Sequence, residues 1–152
     1  MILSTHFIAG AAVASRTDDP LSLFLIAVLL HYFLDIFPHW QYFYESSELK
    51  IRKNQIKVAI DLSAGPLFVS ILFLQLELGG IEKLLWLWLG GVFCMLPDFF
   101  ALLAVIFPRN WTFEKMRLFH KFVQKYDRAG HPLLGVATQL AVVLIAIWIL
   151  IP

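Results

Sequence analysis

The chain has 152 residues, of which 60% are hydrophobic and only 15% are charged. A soluble domain is nearer half apolar and about one quarter charged, so this composition indicates an integral membrane protein. The net charge of +1 gives no electrostatic reason to expect a nucleic-acid partner. The single cysteine, Cys94, excludes an intrachain disulfide framework.

Several apolar runs are long enough to cross a bilayer as helices. They predict an all-α fold, a polytopic membrane bundle that forms a single membrane-embedded domain over residues 1–152. We expect about four spans, a short N-terminal helix and one amphipathic helix that lies in the membrane interface.

In chain order, Ser4 and Thr5 are expected to cap a short first helix that runs to about residue 15. Asp18, Asp19 and Pro20 form a break and start the second helix. The expected spans cover residues 21–37, 56–78, 84–107 and 132–151. The polar and aromatic stretch 39–54 gives no clear order.

Glycine and proline residues predict kinks and turns in or between these spans. Gly65-Pro66 predicts a kink in the third helix, and Gly79-Gly80 predicts a turn. Pro97-Asp98 is expected to interrupt the fourth helix. Residues 112–126 place apolar side chains on one face and basic ones on the other, which is typical of an interfacial helix.

The basic residues predict the topology. Ten of the twelve lysines and arginines lie in two connections that are separated by two spans. These ten are Lys50, Arg52, Lys53, Lys57, Arg109, Lys115, Arg117, Lys121, Lys125 and Arg128. Because connections two spans apart share a side, the positive-inside rule predicts that this side faces the cytoplasm. We therefore expect the bacterial cytoplasmic membrane as the location.

The histidines and the intramembrane aspartates fall on this same side. His31, Asp35 and His39 are spaced by four residues, so on a helix they share one face. Asp61 lies near the start of the third helix, and Asp98 lies about 14 Å inside the end of the fourth. His6, His120 and His131 complete the group.

An aspartate at the bilayer centre costs roughly 2.5–3.5 kcal/mol, which a partner must offset. The spans contain almost no lysine or arginine, so histidines and a divalent cation remain as partners. Mixed imidazole and carboxylate ligands favour Zn²⁺, with Mn²⁺ and Fe²⁺ as alternatives. A bound metal can activate water at neutral pH, and basic residues nearby would attract the anionic headgroup of a membrane lipid.

Each residue also has a purely structural interpretation. His31 and Asp35 can be a polar pair that joins two helices, Asp61 can cap a helix or pair with Lys57, and Asp98 can satisfy backbone freed by Pro97. His6, His120 and His131 can be an N-terminal cap, an interfacial side chain and a helix-start residue. Two other functions remain alternatives to a hydrolase: a metal or proton transporter, and a non-catalytic membrane scaffold.

Three segments, THFIAGAAVAS, HYFLDIFPHW and LPDFF, resemble those of small bacterial membrane-bound metal-dependent hydrolases. That family is regarded as distantly similar to zinc-dependent phospholipase C and the single-strand-specific nucleases. His31, Asp35 and then His39 are similar to the HxxxD…H signature of the zinc phospholipases, which implies that all three are metal ligands. The resemblance also implies ligand roles for His6 and Asp98. A second HxxxD is absent, because Gln124 follows His120 by four residues.

The sequence thus predicts a metal site at the cytoplasmic membrane boundary that hydrolyses a phosphoester, with a phospholipid as the expected substrate. The predicted metal ligands are His6, His31, Asp35, His39, Asp61, Asp98, His120 and His131. Asp61 is also the candidate for a catalytic general base.

Overall fold

The structure, a computed structural model, describes residues 1–40, 52–124 and 132–152. These residues form six α-helices and no strand, which confirms the all-α prediction. The helices are α1 (Leu3–Ala14), α2 (Pro20–Ile36), α3 (Arg52–Gln75), α4 (Ile81–Ile106), α5 (Trp111–Val123) and α6 (Pro132–Leu150).

Three of these helices are long and apolar enough to cross a membrane, and they are α3, α4 and α6. The apolar helices α1 and α2 are shorter, with 12 and 17 residues. The chain therefore has the helices of a membrane protein, while the predicted number of about four spans is not confirmed. The polar stretch 39–54 lies mostly outside the described residues.

Helix α1 lies in the centre of the bundle and packs against α2, α3, α4 and α6. Its small residues permit this close approach. A Cβ atom on Gly10 would overlap the carbonyl oxygen of Gly90 in α4, and a Cβ on Gly90 would lie 2.7 Å from the Cβ of Ala14. Because α1 is surrounded, its polar side chains Thr5 and His6 are both buried.

The start of α1 differs from the prediction that Ser4 and Thr5 cap it. The helix begins at Leu3, and no side chain at the preceding Ile2 provides a cap. Instead, the carboxylate of Asp61 in α3 accepts hydrogen bonds from the N–H groups of Leu3 at 2.7 Å and Ser4 at 3.0 Å. A residue distant in sequence thus satisfies the free donors of the first turn.

The predicted start of α2 is confirmed. Pro20 is its first residue, and the side chain of Asp19 accepts a hydrogen bond from the N–H of Ser22 at 2.9 Å. The predicted turn at Gly79-Gly80 is also present, with Gly79 at a φ of 128° that favours glycine.

The predicted interruption of the fourth helix at Pro97-Asp98 is wrong, since α4 continues through both residues to Ile106. Proline removes one helical hydrogen bond, but a packed membrane helix tolerates this because its neighbours and its own local adjustment satisfy the freed group. Pro66 likewise lies inside α3.

The bundle has a polar end and an apolar end. At the apolar end, the indole N–H of Trp86 donates to the carbonyl of Ala14 at 3.0 Å, and Arg16 donates to the carbonyl of Ile149 at 2.8 Å. At the polar end, α1 begins and α2 and α4 end. The buried polar side chains of the described residues lie in the half nearer this end: Thr5, His6, His31, Asp35, His39, Asn54, Asp61, His120 and Gln139.

Candidate metal centre

Six of the predicted site residues meet around the carboxylate of Asp35 at the polar end. We call them the His/Asp cluster, and they are His6, His31, Asp35, His39, Asp98 and His120. The Asp35 oxygens lie 3.2 Å from Nε2 of His6, 3.3 Å from Nε2 of His31, 4.0 Å from Nε2 of His39 and 3.5 Å from Nε2 of His120. Asp98 joins through His120, whose Nε2 is 3.2 Å from its Oδ1.

Four separate helices supply five of these side chains, and His39 lies just past the end of α2. His31 and Asp35 are one helical turn apart on α2, so both face inward together. His6 comes from the central helix α1, and its ring stacks on that of His31 with the centroids 4.1 Å apart. Asp98 belongs to α4, and His120 to α5.

Helix α5 reaches the cluster because it folds back along α4. Asn110 starts it by accepting a hydrogen bond from the N–H of Thr112 at 3.0 Å. The ring of Phe113 then packs against Phe100 of α4, with the centroids 6.4 Å apart. Further along α5, His120 contacts Asp98, which precedes Phe100 in α4. The two helices are therefore antiparallel, and α5 places His120 toward the interior of the bundle.

Within the cluster, His31, Asp35, Asp98 and His120 form a group that could hold a metal ion. Each offers one ligand atom, and these atoms lie within 4.8 Å of one another. We call it the four-residue group. Two imidazoles and two carboxylates are a set that suits Zn²⁺, Mn²⁺ or Fe²⁺, but the identity of the ion is not determined by these ligands.

Backbone carbonyls set the orientation of two of the histidine rings. Nδ1 of His31 lies 2.7 Å from the carbonyl oxygen of Cys94, and Nδ1 of His39 lies 2.8 Å from that of Phe37. A carbonyl oxygen only accepts, so each Nδ1 must carry the proton and donate. A neutral ring then presents an unprotonated Nε2 toward Asp35, as a metal-binding histidine does.

Several buried polar atoms of the cluster have no hydrogen-bond partner. They are Nδ1 of His6, Nε2 of His31, Oδ2 of Asp98 and Nδ1 of His120. A buried polar group without a partner costs free energy comparable to a lost hydrogen bond. Since three of these atoms belong to the four-residue group, a cation among them would relieve that penalty, and the residues present fit a metal.

The electrostatic environment differs between the two outer histidines. Burial lowers the pKa of His39 to about 4, and the positive amino terminus acts in the same direction, so this ring is neutral at pH 7. Burial also lowers the pKa of His120, but its hydrogen bond to Asp98 and the charges of both aspartates outweigh burial, so its pKa lies above the ordinary value. The two aspartates therefore favour the protonated form of His120.

Access to the cluster is from the side of α4 and α5. The side chain of Asp98 keeps 18% of its surface exposed and that of His120 keeps 7%, whereas those of His6, His31 and Asp35 are fully buried. A small molecule would therefore meet Asp98 and His120 first.

Two predicted ligands are not among the residues that the structure brings together. Asp61 binds the first turn of α1 through the two hydrogen bonds described above, and it belongs to neither potential metal-binding group in the described residues. Its role as ligand and general base stays a prediction. His131 lies outside the described residues.

Sequence reasoning missed two further members of the site. The amide of Gln124 donates to Oδ2 of Asp35 at 2.9 Å, and the amino group of Met1 lies 2.5 Å from Oδ1 of Asp35. The position of Gln124, four residues after His120, is the signal that could have found it, since both side chains then face the same neighbour.

Comparison of the chain with family profiles, with curated proteins and with solved structures found no match.

Proposed function

We propose that the protein is a metal-dependent membrane hydrolase that acts on a phosphoester, with a phospholipid as the substrate. The observation that carries the proposal is the four-residue group, in which buried imidazole and carboxylate atoms converge and three of whose residues carry a buried side-chain atom without a hydrogen-bond partner. Such a group is expensive in an apolar bundle unless a cation completes it.

The depth of the group supports a lipid substrate. Asp98 follows the start of α4 by 17 residues, which places it about 26 Å from the apolar end at 1.5 Å per residue. Asp35 follows the start of α2 by 15 residues, or about 23 Å. In a hydrocarbon core of about 30 Å, both carboxylates would lie just inside the far boundary, close to the level of the headgroups.

The side of the membrane follows from the charges. The amino end of α3 and the loop after α4 are both at the polar end, and the basic residues that flank them include Lys53, Lys57 and Arg109. We propose that this end faces the cytoplasm of a bacterial cell, in accord with the positive-inside rule. We also propose that α2, which is about 26 Å long, crosses as the fourth span together with α3, α4 and α6.

A divalent cation bound by this group would supply an activated water and would neutralise charge on the phosphoester. The chain contributes the surroundings. His31 and His39 are oriented by backbone carbonyls, Gln124 holds one oxygen of Asp35, and the partly exposed Asp98, with His120 beside it, lies where the substrate would enter. If water attacks phosphorus and the glycerol oxygen leaves and takes up a proton, the products would be diacylglycerol and the phosphorylated headgroup.

The first test is the metal content of tag-free, detergent-purified protein, measured by elemental mass spectrometry. We expect about one equivalent of zinc, manganese or iron. In protein loaded with manganese, we expect a large loss of the metal in Asp98→Asn and in His120→Ala. Lys121→Ala, next in sequence to His120 but exposed, is the matched control and should keep its metal. Unchanged manganese in both cluster variants would show that the four-residue group is not the site.

The second test is hydrolysis. Purified protein in vesicles of zwitterionic or anionic phospholipid should release phosphorylated headgroup, and Asp98→Asn should release it more slowly. Chelation should stop the wild-type reaction, and returning the metal should restore it. Metal-loaded protein that releases no product from either vesicle would refute the hydrolase proposal while leaving the metal centre intact.

A non-catalytic scaffold is the second candidate, and one observation favours it. Asp35 already accepts hydrogen bonds from Gln124 and the amino group of Met1, so a polar network joins helices without an ion. The scaffold predicts that chelation leaves the unfolding temperature unchanged. A transporter is less consistent with the structure, because the buried polar side chains of the described residues are confined to one half of the bundle.

A further inference from the structure

Cys94 is the chain's single cysteine, and it lies beside the His/Asp cluster. Its side chain is completely buried on α4, one turn before Asp98. The two residues are four apart, as His31 and Asp35 are on α2, so Cys94 faces the same interior as Asp98 but lies one turn deeper.

Two histidines lie within reach of this thiol. One nitrogen of His6, one nitrogen of His31 and the sulfur of Cys94 lie within 4.8 Å of one another, and the three residues are fully buried. We call them the thiol group. An independent observation points to a ligand here, because Nδ1 of His6 is buried and has no hydrogen-bond partner, while Nε2 of the same ring already faces Asp35.

We propose that His6, His31 and Cys94 form a second metal position, which binds a thiophilic divalent ion such as Zn²⁺ or Cd²⁺. Sulfur and imidazole are the ligands that such ions prefer, whereas Mn²⁺ prefers the oxygen-rich four-residue group. Binding forms one metal–sulfur bond and releases the thiol proton to solvent. This inference rests on the proposed metal centre but not on hydrolysis.

The two positions compete for one ligand. His31 belongs to both groups, but its Nδ1 donates to the carbonyl of Cys94, so only Nε2 can bind an ion. One His31 therefore serves one position at a time. An ion held by the thiol group takes His31 away from Asp35, Asp98 and His120, and it should hinder loading of the oxygen-rich position with Mn²⁺.

The test uses Co²⁺ as a spectroscopic probe on the full-length, tag-free protein in detergent. A thiolate bound to Co²⁺ gives a sulfur-to-metal charge-transfer band in the near ultraviolet, and the single cysteine means that such a band can arise only from Cys94. We expect the band in wild type and in Asp98→Asn, which retains the thiol group. We expect no band in Cys94→Ser or Cys94→Ala.

These two substitutions are mild. Both keep the Cβ atom that packs near Gly10 and the backbone carbonyl that orients His31, so circular dichroism should show folded protein for at least one of them. We also expect Cys94→Ser to weaken Cd²⁺ binding by at least about tenfold, since loss even of an outer-shell partner has that effect. Mn²⁺ binding should stay within about twofold, because its preferred ligands are oxygens.

The outcomes separate the proposals. Co²⁺ that binds to wild type without the charge-transfer band overturns the thiol position and leaves the four-residue group standing, as does a band that persists in Cys94→Ser. Wild type that binds no Co²⁺, Cd²⁺ or Mn²⁺ overturns both metal positions. Hydrolysis does not enter any of these readouts.

Discussion

Asp35 is the residue on which the site depends most. Its carboxylate is fully buried, and it faces the amino group of Met1, the amide of Gln124 and the imidazoles of the cluster. Removing one member of a buried charged network leaves the others without compensation, and this is more damaging than the network is stabilising.

We therefore predict that Asp35→Asn lowers the free energy of unfolding in detergent by roughly 3 kcal/mol or more. Asp19→Asn is the control, because Asp19 caps α2 from an exposed position and asparagine caps equally well. Its effect should stay below about 0.5 kcal/mol. Equal stabilities of the two variants would mean that Asp35 does not organise the cluster.

Asp61, a predicted metal ligand, caps the first turn of α1 in the structure. Its two oxygens accept the N–H groups of Leu3 and Ser4, so we predict that Asp61→Ala destabilises the protein by about 1–2 kcal/mol, the usual effect of losing a helix cap. The metal content should remain that of wild type. Loss of metal from folded Asp61→Ala would instead support the ligand role, and loss of hydrolysis with metal retained would support the role as general base.

At the scale of the helices, the contact between α1 and α4 places the site residues. Gly10 and Gly90 bring the two backbones together, and Cys94 and Asp98 follow Gly90 along α4. Wider separation of the two helices would move Asp98 away from the residues of α1 and α2. The close packing of these two glycines thus determines the geometry of the site, although neither glycine belongs to it.

We predict that Gly90→Ser destabilises the protein by about 1–3 kcal/mol, because its Cβ would overlap α1. Gly80→Ser is the matched control, since a Cβ at Gly80 meets nothing within 4 Å and serine is favoured where α4 begins. Thermal unfolding in detergent measures both. A Gly90→Ser protein as stable as the control would mean that α1 and α4 are not closely packed.

At the scale of the whole molecule, the proposed orientation in the membrane can be tested at the two ends of the bundle. In a Cys94→Ala background, Pro108→Cys labels the loop after α4 and Glu82→Cys labels the start of α4, and both native residues are exposed. Because the basic residues predict a cytoplasmic polar end, a membrane-impermeant maleimide applied to intact cells should modify only Glu82→Cys. Modification of Pro108→Cys alone would reverse the proposed orientation.

The agreement between sequence and structure is best for the features that depend on local rules. Helical spacing predicted that His31 and Asp35 share a face, and the structure confirms their contact at 3.3 Å. Asp19-Pro20 predicted the start of α2, and Gly79 predicted a turn. The expected break at Pro97 was wrong, because tolerance of proline depends on the neighbours that surround a helix and not on the helix alone.

By itself, the sequence determined that the chain is helical and suited to a membrane, and it indicated which residues lie near the polar end. The apolar composition decides that the chain suits a membrane. The lengths and order of the helices decide which residues lie near the polar end, because each span brings the chain to the opposite side of the membrane. Only the tertiary structure decided that Asp61 binds α1, that Gln124 joins Asp35, and that Cys94 stands beside His6 and His31. Helical periodicity specifies a face and a depth, but the rotation of each helix and its choice of neighbour come from packing against the others.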